Sequence, residues 1–269
     1  MTAIPSIERS PDRERIRTIV VPDHDDLARL VAERIVAAVR RATAERGRCV
    51  LGLATGHTPL RTYRELVSRC RAGAVSFAQV VTFNLDEYWP MAPDNPHSYL
   101  RYMWDNLFAH VDVEPGNVHI PAGDTPREHL AAACAAYEHA IREAGGIDFQ
   151  LLGIGKDGHI GFNEPGSAGD SRTRLVALQA GTRRSAASEF GGEDQVPREA
   201  ITMGIATILE AREIALLATG GHKAVIVRRA VESEPTPGVA ATFLQRHANA
   251  TVYLDGAAAS GLTRLARGG

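Results

Sequence analysis

The chain has 269 residues, of which 44% are hydrophobic and 23% are charged. This length and composition suit one large or two small domains with a full hydrophobic core. The 30 basic and 32 acidic side chains nearly balance, which argues against a nucleic-acid-binding protein, because such proteins carry a basic excess. A small anionic ligand is compatible with this balance, since one phosphate group needs only a few local donors.

The cysteines and the N-terminal segment bear on location. Cys49, Cys70 and Cys134 are far apart and form no CxxC pair, which favours free thiols in a reducing compartment over a disulfide framework or a zinc site. No apolar signal region opens the chain, and no stretch approaches about 18 uninterrupted apolar residues. We therefore predict a cytoplasmic protein without a membrane segment, in which residues 1–17 form a poorly ordered polar leader.

Predicted strands and helices alternate along the chain, judged from apolar periodicity and from Pro and Gly at the ends of segments. In chain order they are a strand at 18–22, a helix at 23–46, a strand at 49–54, a helix from 59 to about 71, a strand at 80–85, helices at 98–108 and 126–144, strands at 147–152 and 213–218, a helix that contains Lys223, a strand at 250–254 and a short C-terminal helix.

The predicted strands are apolar on both faces, which is typical of parallel sheets covered by crossover helices. We therefore predict an α/β fold with a doubly wound, mostly parallel sheet and helices on both faces, a Rossmann-like three-layer arrangement. A single domain is expected over residues 18–269. Such sheets bind ligands beyond the carboxyl ends of their strands. Four predicted strands end in polar or glycine-rich segments there, at 55–58, 86–88, 153–164 and 220–223.

The segment that begins at Gly153 contains a literal GxGxxG motif. A dinucleotide site would need a helix directly after this motif and an acidic residue about 20 positions later. Gly161, Asn163 and Pro165 oppose a long helix, and no Asp or Glu lies between residues 171 and 188. We therefore expect no nicotinamide cofactor.

The same segment places Asp157, His159 and Glu164 on one glycine-rich loop. An imidazole flanked by two carboxylates is suited to proton transfer near neutral pH. A loop with satisfied polar groups is one alternative. A metal site is another, although no paired ligand spacing such as HxxxH or CxxC supports it, so we expect no metal.

Asp86 and Glu87 are adjacent carboxylates at the end of a predicted strand. Because successive strand residues point to opposite faces, one could be a general base and the other structural. A strand-terminating turn with solvated acids is the alternative interpretation of this pair.

Two further turns could bind an anion. Residues Thr55, Gly56, His57 and Thr58 lie between a strand and a helix, where free N–H groups and hydroxyls can hold a phosphate. This is not a Walker A loop, because no Gly-Lys-Ser/Thr follows. Lys223 adds an ammonium group to the turn at 220–223. Both segments could also be turns that need no ligand.

Taken together, these motifs resemble those of glucosamine-6-phosphate deaminases, in the same order over roughly residues 18–260. The continuation GFNEP at 161–165 distinguishes the chain from the sister 6-phosphogluconolactonases, which share the preceding Gly-x-Asp-Gly-His. The similar segments are LGLATGHTP (51–59), VVTFNLDEY (80–88), PHSY (96–99), LLGIGKDGHIGFNEPGS (151–167), DSRTR (170–174), QVP (195–197), ITMG (201–204) and LQRH (244–247).

The resemblance implies a cofactor-free aldose–ketose isomerisation coupled to loss of ammonia, which gives fructose 6-phosphate. By motif match, Asp86 would move a proton between C2 and C1 of the sugar. His159 would assist opening of the pyranose ring, with Asp157 and Glu164 orienting and tuning it. Since family members are often oligomeric, a homo-oligomer is compatible with the resemblance.

The resemblance also implies that the substrate phosphate lies on the turn at 55–58, with Lys223 contributing charge. His57 stands where the family usually has Gly or Ser. Ser188 falls where the family carries an arginine that grips the phosphate, and Glu189 follows it. The implied catalytic group is therefore present, but the implied phosphate clamp is altered.

Arg183 and Arg184, shortly upstream of Ser188, are the nearest candidate substitutes for the clamp, with solvated loop charges as the alternative. We expect an amino-sugar deaminase/isomerase that acts on glucosamine 6-phosphate. The alternatives are the same chemistry on a different or unphosphorylated amino sugar, a sugar-phosphate-sensing module, and a 6-phosphogluconolactonase-like hydrolase. A small amino sugar is the expected partner, without nucleic acid or membrane.

Overall fold

Strands and helices alternate along the part of the chain that the computed structural model describes, residues 14–263. The strands are β1 (Arg17–Val21), β2 (Cys49–Leu53), β3 (Val80–Asn84), β4 (Asp86–Trp89), β5 (Val118–His119), β6 (Phe149–Gly153), β7 (Arg174–Ala177), β8 (Glu199–Thr202), β9 (Ile214–Ala218) and β10 (Ala250–Asp255). The α-helices are α1 (His24–Arg46), α2 (Pro59–Arg71), α3 (Tyr99–Asn106), α4 (Leu130–Glu143), α5 (Ala180–Phe190), α6 (Ile205–Leu209), α7 (Ala224–Glu232) and α8 (Gly256–Ala259).

Seven strands form one parallel sheet in the order β1-β10-β9-β6-β2-β3-β5. Alternate residues of β2 pack on opposite faces of this sheet. Leu51 and Leu53 join a core with α1, α2 and α3, whereas Val50 lies in a second core with α4, α6, α7 and α8. This arrangement confirms the predicted doubly wound, three-layer α/β fold in a single domain.

The ends of the first two helices follow from single residues. The carboxylate of Asp23 accepts hydrogen bonds from the N–H groups of Asp25 and Asp26, and Gly47 ends α1 in the left-handed conformation, with φ of 76°. Pro59 occupies the first turn of α2. Both helices therefore have the predicted bounds, to within one residue.

The strand order reverses between β2 and β6. From β2 the chain continues through β3 to β5 on one side, and from β6 it continues through β9 to β10 on the other. β2 and β6 pair only through Leu51 with Phe149 and Gly52 with Gln150. A crevice for ligands forms at such a reversal, beyond the carboxyl ends of the strands. The strands that precede the four segments singled out from the sequence, β9, β6, β2 and β3, are neighbours at this point.

A second, antiparallel sheet of three strands, in the order β4-β8-β7, is not among the elements predicted from the sequence. Residues 86–88, interpreted from the sequence as the end of a strand at 80–85, instead belong to β4, which pairs with Glu199–Thr202. Each strand of this sheet has only four residues, too few for a clear periodicity.

Lys223 lies in a 3-10 turn, Gly221–Lys223, directly before α7 and not inside the α-helix.

The predicted leader at 1–17 falls mainly on residues 1–13, which lie outside the described residues. Ile16 is buried and Arg17 begins β1, so the ordered fold starts within the predicted leader.

All three cysteines are free thiols. Between residues 14 and 263, none of the helices has the length and hydropathy required to cross a bilayer.

The close packing of Gly52 against Gln150 gives a test of the β2–β6 junction. A Cβ atom on Gly52 would lie 2.0 Å from Oε1 of Gln150, whose side chain is fully buried. Gly52→Ala must displace this amide, so we expect it to lower the free energy of unfolding by about 1–3 kcal/mol in urea denaturation. Gly116→Ala is the control, because no atom lies within 4 Å of its Cβ position. Equal stability of the two variants would contradict this packing.

Candidate active site

Two buried carboxylates, Asp86 and Glu87, begin β4 directly after the end of β3. Oε1 of Glu87 accepts hydrogen bonds from the N–H groups of Tyr88 and Tyr99, and Oε2 accepts one from Leu100, at 2.9–3.0 Å. Tyr99 and Leu100 are the first residues of α3, so Glu87 caps this helix from a neighbouring strand. Burial raises the pKa of Glu87 to about 7, although the three backbone donors oppose the shift.

Asp86, in contrast, accepts no hydrogen bond from any residue between 14 and 263. Burial, together with the charge of Glu87, raises the pKa of Asp86 to about 8. Its Oδ2 lies 3.2 Å from the position that a Cβ atom of Gly161 would occupy, so a glycine there leaves room for the carboxylate. Asp86 is thus the carboxylate with unused acceptor capacity, and its ionised fraction increases as pH rises through about 8.

The loop after β6 gathers a second group of titratable residues. Nδ1 of His159 lies 2.7 Å from Oδ1 of Asp157 and 3.8 Å from Oε2 of Glu164. The shorter contact does not have the alignment of a hydrogen bond, so it is a close contact between the imidazole and the carboxylate. Burial raises the pKa of Asp157, but the proximity of His159 outweighs burial and holds that pKa well below its usual value. The sequence-predicted trio is therefore assembled at one place.

The imidazole of His159 lies directly over Gly155. A Cβ atom on Gly155 would come within 2.3–2.4 Å of three ring atoms of His159. The N–H of Gly155 also donates to the backbone carbonyl of His159, at 2.9 Å. The ring that packs on Gly155 thus requires a glycine at this position.

Glu164 faces the imidazole with one oxygen held and one free. Its Oε1 accepts a hydrogen bond from the N–H of Gln179 at 3.1 Å, whereas its buried Oε2 has no hydrogen-bond partner among residues 14–263. One atom each from Asp157, His159 and Glu164 lies within 4.8 Å of the others. This donor set could bind a divalent cation, and it is equally suited to orienting an imidazole for proton transfer.

The turn Thr55–Thr58 connects the end of β2 to the beginning of α2. The hydroxyl of Tyr102 in α3 donates to the carbonyl of Gly56 at 2.6 Å, and Gly56 adopts φ of 101°. Nε2 of His24 lies 3.0 Å from the carbonyl of Thr58. The backbone of the turn is thus fixed by its carbonyls, while its N–H groups are at a helix N-terminus, where anions bind.

Lys223 lies beside the loop that carries the trio. Its Nζ donates to the carbonyl of Ile154 at 2.7 Å. Burial and the charge of Lys156 lower the pKa of Lys223, and the charge of Asp157 opposes this shift. Lys223 thus contributes positive charge close to Asp157.

The predicted clamp residues Arg183, Arg184 and Ser188 all belong to α5 but do not reach the turn. Nη2 of Arg183 lies 3.8 Å from Oε1 of Glu193. Arg184 and Ser188 are exposed and, four residues apart, share one face of the helix. Among the hydrogen bonds and ion pairs of residues 14–263, none connects these three side chains to residues 55–58.

Arg174 is a site residue to which the sequence alone assigns no role. Its guanidinium donates to Oδ1 of Asn163 at 3.0 Å and to the hydroxyl of Ser167 at 3.2 Å, which fixes the loop around Glu164. A cavity of about 560 Å³ lies between Glu164 and Arg174. A larger groove of about 740 Å³, between α4 and β7, includes none of the predicted catalytic residues.

Comparison with known sequences supports the resemblance drawn from the motifs. The profile of the family described as glucosamine-6-phosphate isomerases/6-phosphogluconolactonase matches residues 22–253. The glucosamine-6-phosphate deaminase of Rhodopirellula baltica is 51% identical over 247 residues, which are 92% of this chain and 96% of that protein. Glucosamine-6-phosphate deaminase 2 of Bacillus subtilis is 45% identical over 249 residues, which are 92% of this chain and 98% of that protein.

Solved structures agree with this result. A monomeric glucosamine-6-phosphate deaminase superposes with a TM-score of 0.86 at 40% identity, over 91% of this chain and 99% of that one. A 6-phosphogluconolactonase of Thermotoga maritima shares the fold, with a TM-score of 0.69 at 24% identity, over 88% of this chain and 98% of that one. With its motifs, its fold and these relatives in agreement, the chain belongs to the glucosamine-6-phosphate isomerase/6-phosphogluconolactonase family.

Proposed function

We propose that the protein is a glucosamine-6-phosphate deaminase that converts glucosamine 6-phosphate and water into fructose 6-phosphate and ammonia. The observation that carries this proposal is the presence of two separate groups suited to proton transfer beside one loop, residues 155–164, because Asp86 lies against the Gly161 position and His159 belongs to the loop. Asp86 is a buried carboxylate with unused acceptor capacity, and His159 lies between two further carboxylates. The relatives named above carry the same activity in their names.

In the first step, the cyclic sugar opens when a proton moves from the C1 hydroxyl to the ring oxygen. His159 is suited to this transfer, because Asp157 stabilises the imidazolium that forms when the ring accepts the proton. Glu164 adds a second negative charge at 3.8 Å from the same nitrogen. The product of this step is the open-chain aldehyde.

In the second step, Asp86 takes the proton from C2, next to the aldehyde, and delivers it to C1. The transfer passes through an enolamine, while the C1 oxygen gains a proton and the amine nitrogen loses one, and it leaves a C1 hydroxyl beside an imine at C2. Water then adds to the imine carbon, and ammonia leaves to give the ketose. A positioned carboxylate base of this kind typically contributes about 10²–10⁴-fold to the rate.

The substrate phosphate would bind at the N-terminus of α2, to the free N–H groups of the turn Thr55–Thr58. Lys223, in the turn that follows β9, would add positive charge from two strands away in the sheet. We place this reaction in the cytoplasm, since Cys49, Cys70 and Cys134 are free thiols of the kind that a reducing compartment maintains.

A second candidate function keeps the chemistry and removes the phosphate from the substrate. The observation that favours it is on α5, where Ser188 is exposed and Glu189 is the residue that approaches the turn. A carboxylate at this position disfavours an anionic ligand, so an unphosphorylated amino sugar would bind there without repulsion.

Ammonia release from a panel of amino sugars tests the proposed function. We expect release from glucosamine 6-phosphate together with an equal amount of fructose 6-phosphate, and much less from glucosamine. Preferential release from glucosamine would establish the second candidate function. Hydrolysis of 6-phosphogluconolactone without ammonia release would contradict both.

Activity should survive exhaustive chelation, and its loss with EDTA and recovery with a divalent ion would show that Asp157, His159 and Glu164 bind a metal.

Asp86→Asn should lower kcat by about 10²-fold or more and leave KM nearly unchanged, because the amide has the same shape but cannot accept the proton. Steady-state kinetics with glucosamine 6-phosphate measure both constants. Asp94→Asn, on the exposed loop after β4, is the matched control and should behave like the native protein. Retention of native kcat by Asp86→Asn would exclude this residue as the base.

Gly155→Ala should displace the imidazole of His159 and slow the cyclic substrate far more than an open-chain analogue, which needs no ring opening. The added methyl group would lie within 2.4 Å of the ring, whereas Gly153→Ala, two residues earlier, meets no atom within 4 Å and serves as the control. The measurement is kcat for both compounds with both variants. Equal losses on the cyclic and open-chain compounds would argue that His159 does not act in ring opening.

A further inference from the structure

Across the mouth of the candidate site, His57 on the turn faces Glu189 on α5. Nδ1 of His57 lies 3.8 Å from Oε1 of Glu189, and the two side chains are 85% and 47% exposed. Glu189 is thus the α5 residue whose carboxylate approaches the turn, within the described part of the chain. Solvent-exposed pairs at this distance are weak, so either partner can be exchanged for a stronger one.

The turn leaves His57 free to move towards a ligand. The backbone carbonyl of Gly56 is held from α3 by Tyr102, on a different element from Glu189. No atom lies within 4 Å of the Cβ position of Gly56, so the space beside the turn is open. A phosphate bound to the N–H groups of this turn would lie next to the imidazole.

Three other candidate cations for the phosphate have partners or lie on another face. Lys223 donates to the carbonyl of Ile154, Arg183 lies against Glu193, and Arg184 is exposed on the face of α5 shared with Ser188. His57 differs from these side chains because it belongs to the turn itself. Its imidazole can therefore contact a phosphate held there without any movement of another element.

We propose that His57 is the specificity-determining residue for the phosphate, and that it exchanges Glu189 for the phosphate when the sugar binds. This inference rests on the proposed function, because it assumes that the turn holds the phosphate of an amino sugar. A phosphate carries more negative charge than one carboxylate and offers three acceptor oxygens, so it is the stronger partner. Before the sugar binds, Glu189 orients the imidazole of His57 and repels other anions.

Kinetics of native protein, His57→Gln, His57→Arg and Glu189→Gln test the exchange. His57→Gln should raise KM for glucosamine 6-phosphate about 10-fold, the lower end of the range for a charge-assisted contact, with kcat changed less than about twofold. His57→Arg should restore a KM near the native value. Glu189→Gln should lower KM, because it removes the competing carboxylate. KM for unphosphorylated glucosamine should not respond to any of these changes.

Calorimetric binding of inorganic phosphate separates this inference from the proposed function. His57→Gln should weaken phosphate binding about 10-fold relative to the native protein, whether or not ammonia is released. Circular dichroism of each variant establishes that the fold is retained. Phosphate binding that His57→Gln leaves unchanged would overturn the inference. Failure of the native protein to release ammonia, with His57-dependent phosphate binding intact, would overturn the proposed function alone.

Discussion

The buried carboxylate of Glu87 holds the candidate site together. It accepts hydrogen bonds from Tyr88 within β4 and from Tyr99 and Leu100 at the beginning of α3. The strand that carries the proposed base is thereby attached to the helix whose Tyr102 fixes the turn at 55–58. Removal of this carboxylate would leave buried N–H groups without acceptors, and each such loss typically costs about 1–3 kcal/mol.

The same interaction gives the two adjacent acids different surroundings. Successive residues of a strand face opposite ways, so Glu87 turns towards α3 while Asp86 turns towards Gly161 and the crevice. Because backbone N–H groups donate to both of its oxygens, Glu87 is suited to a structural role and not to proton transfer. Its charge also remains close to Asp86 and, after burial, is the second cause that raises the pKa of that residue. A structural cap thus contributes directly to the basicity of its neighbour.

The sequence predicts those features that depend on local pattern. Apolar runs identify six of the seven strands of the parallel sheet, all except the two-residue β5, and Asp23, Gly47 and Pro59 mark helix ends, because capping acts within one turn of the chain. The trio around His159 is predictable since its members share one loop. The antiparallel sheet has strands too short for a periodic signal, and the pairing of His57 with Glu189 joins segments far apart in sequence. Which of Asp86 and Glu87 keeps carboxylate oxygens without hydrogen bonds likewise depends on contacts with α3. No local sequence pattern indicates those contacts.

We propose that Asp86 is a buried base whose pKa depends on Glu87. Carboxyl-carbon NMR of protein labelled at aspartate, with the Asp86 signal assigned from its absence in Asp86→Asn, measures that pKa directly. We expect Asp86 to titrate near pH 8 in the native protein. In Glu87→Gln the midpoint should fall but stay above the ordinary aspartate range, because burial, the larger cause, remains. Titration of native Asp86 near its ordinary pKa of about 4 would contradict the account.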